Sequence, residues 1–128
     1  MAIVENFASG SYPSAGVLST AQTGTGDSQN IIDRGGELGP ALLEIVSTIG
    51  ATPSVTVNIQ GSVDGVNFFN IPYCEVATPE TPSVASFAIT TATTTRKILR
   101  PNHPWRFIKF VLSANTNVTI ASATLYQF

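Results

Sequence analysis

Apolar and polar residues alternate along much of this chain with a period of two, which indicates β-strands. From Val55 to Gln60, valine and isoleucine alternate with threonine, asparagine and glutamine. Successive side chains of a strand point to opposite faces, so this pattern places the apolar side chains on one face of a sheet. The following Asp64-Gly65 predicts a hairpin turn, because glycine accepts the positive φ that a tight turn between twisted strands requires.

Similar stretches follow one another from residue 31 to the end of the chain. The range 41–49 is ambiguous, since Pro40 could begin a helix, but its β-branched residues favour a strand. Residues 105–113 are apolar on both faces, which is typical of a central strand. Seven or eight short strands separated by turns predict an all-β fold, a two-sheet β-sandwich of the jelly-roll kind. The predicted strands are 31–33, 41–49, 54–62, 67–73, 83–90, 95–100, 105–113 and 118–128, with Pro79 and Pro82 marking a loop.

The first thirty residues differ from the rest. They are rich in glycine, serine, threonine and alanine, and their apolar residues have no sustained period. We therefore expect an extended, irregular N-terminal arm over 1–30 and a β-sandwich domain over 31–128. Both a frayed terminus and an arm that becomes ordered against a partner fit this composition. In the second case Phe7 and Tyr12 are the expected anchors, and a chain without residues 1–20 should fold but attach less well.

The composition of the chain limits the classes of partner that it could bind. Its 128 residues suit one domain, and only 11% of them are charged, against about 25% in a typical protein. A threonine-rich surface with few charges gives weak protection against association, including association with further copies of the chain. The net charge of −2 gives no case for nucleic-acid binding. No apolar run is long enough for a membrane span.

The charges are unevenly distributed along the sequence. All eight acidic residues lie between Glu5 and Glu80, and five of the six basic residues lie between Arg96 and Lys109. Either the fold brings the two sets together on a solvated surface, or an acidic and a basic patch meet between neighbouring subunits. The basic cluster is thus a candidate contact for an anionic protein surface. It consists of Arg96, Lys97, Arg100, Arg106 and Lys109.

No residue pattern predicts catalysis, a metal site or a cofactor. The single histidine, His103, lies between prolines in a turn, and no nucleophile motif surrounds the single cysteine, Cys74. One cysteine allows no intrachain disulfide, and the first thirty residues lack a signal-peptide pattern, so we expect synthesis in a reducing cytoplasm. The Asp64–Asn67 turn resembles a fragment of a calcium loop without its later acidic ligands. Trp105 and its aromatic neighbours could stack on a sugar or a base, but aromatics in an apolar strand are more often core.

With these motifs in place, the chain resembles bacteriophage head decoration (cement) proteins of the small β-sandwich kind. The resemblance covers most of residues 30–128. The first piece is an "ID-G" entry, the second a "VTV-x-GS-DG-N-[FW]" hairpin, and the third a "P-x-R-[FY]" strand followed by a closing strand. They correspond to Asn30–Asp33 with Gly35, to Val55–Ser62 with Asp64–Phe68, and to Pro104–Ile108 with Val118–Leu125.

The resemblance implies a non-catalytic virion protein on the outer capsid surface. Such a protein binds the major capsid protein, clamps adjacent capsomers, and acts as a homodimer or homotrimer. In the family, arms or loops often carry the contacts with the shell. The expected contact residues in this chain are Phe7 and Tyr12 in the arm and Arg96, Lys97 and Arg100 in the basic cluster.

A second resemblance leaves an alternative open. The stretch from Ser62 to Phe68 and the later Trp105–Phe110 also look like the "S-DG-x-W" and "RY-[VI]-R" strands of galactose-binding jelly-roll modules of the discoidin type. That resemblance implies a carbohydrate- or receptor-binding domain, for example of a phage tail. Against it, the chain is short for that family and lacks its usual bracketing cysteines.

Overall fold

The computed structural model describes residues 2–4, 14–35, 39–100 and 104–128, and all regular secondary structure in these ranges is β-strand. This confirms the all-β prediction. Among the described residues no helix is long and apolar enough to cross a membrane. The strands are β1 (Ala2–Val4), β2 (Ser14–Gln22), β3 (Gly26–Asp27), β4 (Asn30–Asp33), β5 (Ala41–Ser62), β6 (Phe69–Asn70), β7 (Tyr73–Glu75), β8 (Thr78–Ser83), β9 (Phe87–Ile89), β10 (Thr94–Leu99) and β11 (Phe107–Gln127).

Two long antiparallel strands, β5 and β11, form the centre of the sheet. The sequence pattern predicted four shorter strands here. Instead, the two strands stay paired along their whole length through three shifts of register. Thr52, Ala114 and Asn117 have positive φ at these irregularities, and such residues bend a strand without ending it. We call the region of residues 49–53 and 113–119 the bend.

The bend divides the β5–β11 pair into two halves, each with its own neighbours. The half beyond residue 118 of β11 pairs with β2, and the matching half of β5 pairs with β10, which continues to β7 and β8. The other half pairs with β3 and β4 on the β11 side and with β6 and β9 on the β5 side. Strand β1 adds to β4 in parallel. All described strands therefore belong to one hydrogen-bonded sheet.

One face of this sheet carries the hydrophobic core. Alternate residues of β5 are buried, as the period of two predicted, with Leu43 on one side of the bend and Val57 and Ile59 on the other. On β11, Phe110 is buried in one half of the strand and Ile120 in the other. All of these side chains belong to a single core cluster. Both halves of the central pair thus bury the same face in one core.

The structure differs from the predicted arm over residues 14–30. Strand β2 pairs with β11 from Ser14 to Gln22, and Leu18 is fully buried in the core cluster. The described part of the range 1–30 beyond residue 13 is therefore part of the sheet and not an irregular lead-in. A chain without residues 1–20 would lose most of β2, so the expectation that it still folds is not supported. Phe7 and Tyr12 lie outside the described residues.

Two edges of the sheet are poor templates for pairing with another chain. Pro79 and Pro82 were predicted to mark a loop but lie in β8, an edge strand, where a proline without an N–H is tolerated. Beside β2, the Gln29 side chain bonds both the backbone N–H and the C=O of Thr20 at 2.9 Å. At these two edges the addition of a strand from another chain is therefore disfavoured.

Candidate interaction surface

The basic residues predicted to form a partner surface are paired with acidic residues of the same chain. Arg96 Nε lies 2.9 Å from Glu44 Oε2, and Arg100 Nη2 lies 3.8 Å from a carboxylate oxygen of Glu80. Arg106 donates to both carboxylate oxygens of Asp33, at 2.8 and 3.0 Å. Arg96, Arg100 and Arg106 are each about half exposed. Their contact with a partner remains a prediction, but they do not form a patch of unpaired positive charge.

Lys97 is the least accessible of the three basic residues predicted as contacts. Its Nζ donates to Glu75 Oε1 at 2.5 Å, and its side chain is only 8% exposed. The ammonium also lies 4.5 Å from the ring centre of Phe87 and 5.4 Å from that of Tyr73, within cation–π range. These contacts fix Lys97 between β7, β9 and β10. The side chain therefore holds strands together and is not displayed to a partner.

Of the two alternatives for the separated charges, the described residues bear out the first. The late basic residues pair with early acidic ones across strands, as in the Lys109–Asp27 contact of 3.1 Å between β11 and β3. The sixth basic residue, Arg34, is buried and donates to Gln127 Oε1 at 2.9 Å and to the carbonyl of Gly39. Every described cation is therefore engaged within the chain.

The ion pair between Asp33 and Arg106 makes the stability of the fold depend on pH. The hydrogen bonds from Arg106 lower the pKa of Asp33, and the Gly35 amide adds to this. The pKa of this carboxyl is lower in the folded state than in the unfolded state, where it is about 4. Its ionised form therefore stabilises the fold fully at pH values above the unfolded-state pKa. This contribution is lost as the pH falls through the folded-state pKa. We therefore expect the Tm of the wild type to exceed that of Asp33→Asn at neutral pH and the gap to narrow near about pH 3. A gap that is the same at both values would contradict this role for the ionised carboxylate.

The turn after β5 is held rigidly by Asp64. One carboxylate oxygen accepts the backbone N–H groups of Val66 and Asn67, each at 2.9 Å, and the Ser62 hydroxyl at 2.8 Å. These bonds, the one from Asn67 first, hold the pKa of Asp64 well below its usual range. Gly65 has a φ of +77°, which confirms the turn predicted from Asp64-Gly65. The segment between β5 and β6 therefore presents its side chains from a fixed frame.

Apolar side chains project from this frame into solvent. Val63, Val66 and Phe69 are 57%, 78% and 58% exposed. The half-buried Trp105 lies beside Phe69, and the centres of the two rings are 6.3 Å apart. We call these four residues the aromatic loop surface. A cluster of exposed apolar side chains on a rigid loop is typical of a contact surface and not of a solvated turn.

The absence of a side chain at Gly61 leaves the space in which Trp105 packs. A Cβ placed on Gly61 would lie 2.8 Å from Trp105 Cβ and Cγ and 3.0 Å from Ile71 Cγ2. Only glycine therefore lets the indole pack across β5 at this position, next to Phe69. Within the described residues the indole Nε1 is the one buried side-chain polar atom that has no hydrogen-bond partner. Packing and not a hydrogen bond therefore positions the ring.

Replacement of Gly61 by alanine is expected to displace Trp105. The added methyl group overpacks the site, which typically costs about 1–3 kcal/mol of unfolding free energy. Urea unfolding measures the loss, and the emission of Trp105, the single tryptophan of the chain, reports the displaced ring. An unchanged emission spectrum together with unchanged stability would show that the indole does not pack on β5.

The residues of the other candidate sites do not converge in the described part of the chain. Phe110 is fully buried, and Phe107 packs against Gly65, so the predicted stacking platform is not an open row of rings. Cys74 is buried, and His103 lies outside the described residues. No group of three potential metal ligands occurs among the described residues. The aromatic loop surface was missed from sequence, although three of its four residues flank an Asp-Gly turn in the sequence and were a signal for it.

Comparisons with known proteins identify no relative of this chain. Neither the family models, nor the curated proteins, nor the solved structures include a match to this chain. The function must therefore be argued from the residues themselves.

Proposed function

We propose that this chain is a capsid decoration protein, a structural virion protein that binds the outer surface of the major capsid shell and stabilises the contacts between capsomers. The observation that carries the proposal is the aromatic loop surface, which offers exposed apolar side chains on a rigid frame. The resemblance of its hairpin to those of decoration proteins supports the same assignment. No catalytic step is part of this function.

The chemistry of the loop favours a protein partner. Phe69 and Trp105 are of the aromatic kind that dominates the energetics of protein interfaces. Because Asp64 already fixes the loop, docking costs little further conformational entropy. All described cations except the buried Arg34 are paired with carboxylates of the same chain, so shape and apolar contact rather than bulk charge select the partner.

We further propose that the two halves of the bent β5–β11 pair lie face to face as a two-layered sandwich. The core residues of both halves occupy the same face of the sheet and belong to one cluster. A sheet must cover its apolar face with another layer, and the described residues contain no helix that could do so. The jelly-roll connection of the strands is part of this proposal.

A homodimer or homotrimer would strengthen attachment to a symmetric shell. One loop surface buries little area, and a single copy would bind weakly. Several linked copies that engage equivalent capsomers at once raise the effective concentration of each further contact. The oligomer thus clamps neighbouring capsomers, whereas a monomer would only coat them.

Cosedimentation tests the proposal. The full-length chain is mixed with capsid shells that lack this protein, and bound protein is measured as its concentration increases. We expect saturable binding with a fixed number of copies per shell, and a dimer or trimer by light scattering in solution. Absence of binding to such shells, combined with selective hits from a monomer on a glycan array, would replace this proposal with the carbohydrate- or receptor-binding alternative.

A further inference from the structure

An open pocket lies at the bend, remote from the aromatic loop surface. Its volume is about 410 Å³, within the range of small-molecule sites. It is bounded by the bend on β5 and β11 and by the turn between β2 and β3. The nine strand residues 54–62 separate the bend from Val63, a distance of roughly 30 Å along β5. The pocket is lined by Thr23, Gly24, Thr48, Ile49, Gly50, Asn115, Asn117, Val118 and Thr119.

The frame of this pocket is held by asparagine side chains. Asn115 Nδ2 donates to the carbonyls of Gly24 and Val118, at 2.7 and 3.0 Å, and its Oδ1 accepts the Val118 amide at 3.1 Å. Asn117 Nδ2 donates to the Ala51 carbonyl at 2.6 Å. These bonds tie three separate segments of the chain together. The pocket is thus a built feature of the bend and not a gap between loosely placed loops.

The backbone around the pocket has an unusual conformation. Among the described residues four non-glycine residues have positive φ, and all four line the pocket or lie within two residues of its lining along the chain. The left-handed conformation is costly for residues with a Cβ, most of all for a β-branched threonine. Such conformations cluster at ligand sites, where the surrounding structure maintains them. The four are Ala21, Thr52, Ala114 and Asn117.

The lining offers hydroxyl groups and no charge. Thr48 and Thr119 lie directly opposite each other on β5 and β11, and Thr23 enters from the turn after β2. None of these three hydroxyls donates or accepts a hydrogen bond within the described residues. No ionisable side chain lines the pocket.

From this lining we infer that the pocket binds a neutral saccharide. Threonine hydroxyls both donate and accept hydrogen bonds, as the hydroxyls of a sugar do. A phosphate or carboxylate ligand would find no cation in these walls. The site is distinct from the aromatic loop surface, so it adds a ligand to the proposed decoration function and does not replace it.

An NMR titration tests this inference on the full-length chain. Glucose, galactose, mannose and N-acetylglucosamine are each added to millimolar concentrations while backbone amide shifts are followed. We expect at least one sugar to give saturable shifts confined to residues 23–24, 48–50 and 115–119. If none of the four produces saturable shifts, or if the shifts lie elsewhere, the inference is wrong.

Substitutions in the pocket separate it from the shell-binding surface. Thr48→Val with Thr119→Val keeps the shape and strand preference of both residues but removes their hydroxyls. It is expected to weaken sugar binding by about tenfold, whereas Thr78→Val on the exposed edge strand β8 is expected to leave it unchanged. Equal sugar affinity in the double variant and the wild type would show that these hydroxyls do not bind the sugar and would overturn the inference. Cosedimentation with shells should be the same for all three proteins, so failure here is distinguishable from failure of the proposed function.

Discussion

Replacement of Leu18 by alanine is expected to lower the free energy of unfolding by about 2–5 kcal/mol, the usual cost of such a truncation in a packed core. Leu18 is fully buried and belongs to the core cluster shared by both halves of the central pair. Its neighbour Val17 is 43% exposed on the same strand. Val17→Ala therefore serves as a matched control and should cost well under 1 kcal/mol.

Chemical denaturation with both variants measures this difference. A large loss at Leu18 and a small one at Val17 would show that β2 belongs to the folded domain. It follows that a chain without residues 1–20 should be unfolded or aggregated, because removal of most of β2 uncovers the edge of β11. If Leu18→Ala is as stable as the wild type, residues 14–22 do not pack as described and the arm predicted from sequence regains support.

Loss of shell binding is the second large effect that we expect. The double variant Val66→Asp, Phe69→Asp places two charges on the most exposed part of the aromatic loop surface. Burying those charges in an apolar interface, together with the loss of an aromatic anchor, is expected to weaken attachment by about a hundredfold or more. Cosedimentation with shells at increasing protein concentration measures the change.

The control for this experiment has the same chemistry at another place. Val76 and Val84 are 52% and 57% exposed and flank the edge strand β8. The variant Val76→Asp, Val84→Asp therefore adds the same charge without touching the aromatic loop surface. Both double variants should unfold at the wild-type temperature, since exposed positions contribute little to stability. Equal loss of binding in both variants would indicate a general effect of negative charge and would remove the loop from the account.

The central part of the fold could be predicted from the sequence because its residues follow a strict alternation. Val55, Val57 and Ile59 are buried as the period of two indicated, and Asp64-Gly65 forms the predicted turn. The continuity of β5 and β11 through the bend could not be predicted. Residues such as Thr52 carry no sequence signal for positive φ, and pairing between strands decided whether the chain turned or only bent.

Strand β2 was missed for a different physical reason. Two of its buried positions are the polar residues Ser19 and Gln22, so the stretch lacks an apolar stripe. Their side chains are satisfied locally: Ser19 Oγ donates to Gln22 Oε1 at 2.5 Å, and Gln22 Nε2 donates to the Asp27 carbonyl at 2.9 Å. Buried polar groups that find partners can replace apolar ones in a strand, and hydropathy alone cannot indicate this.

The candidate interaction surface, too, could be predicted from the sequence only in part. The basic cluster was visible in the sequence, but its partners were not, because Asp33 and Arg106 lie 73 residues apart and meet only in the folded sheet. The exposure of Phe69 likewise depends on tertiary packing, since aromatic residues near strands are usually buried. Composition correctly indicated a surface with few charges, yet only the structure located its apolar part.

Hydrogen–deuterium exchange on the shell-bound protein is the most direct test of the account. The attachment surface is read from the amides that become slower to exchange on binding. We expect protection of residues 61–70 and 104–107 and little change at 94–100. Protection confined to the basic strand β10, with the loop after β5 exchanging as in the free protein, would contradict the claim that this molecule attaches through its aromatic loop.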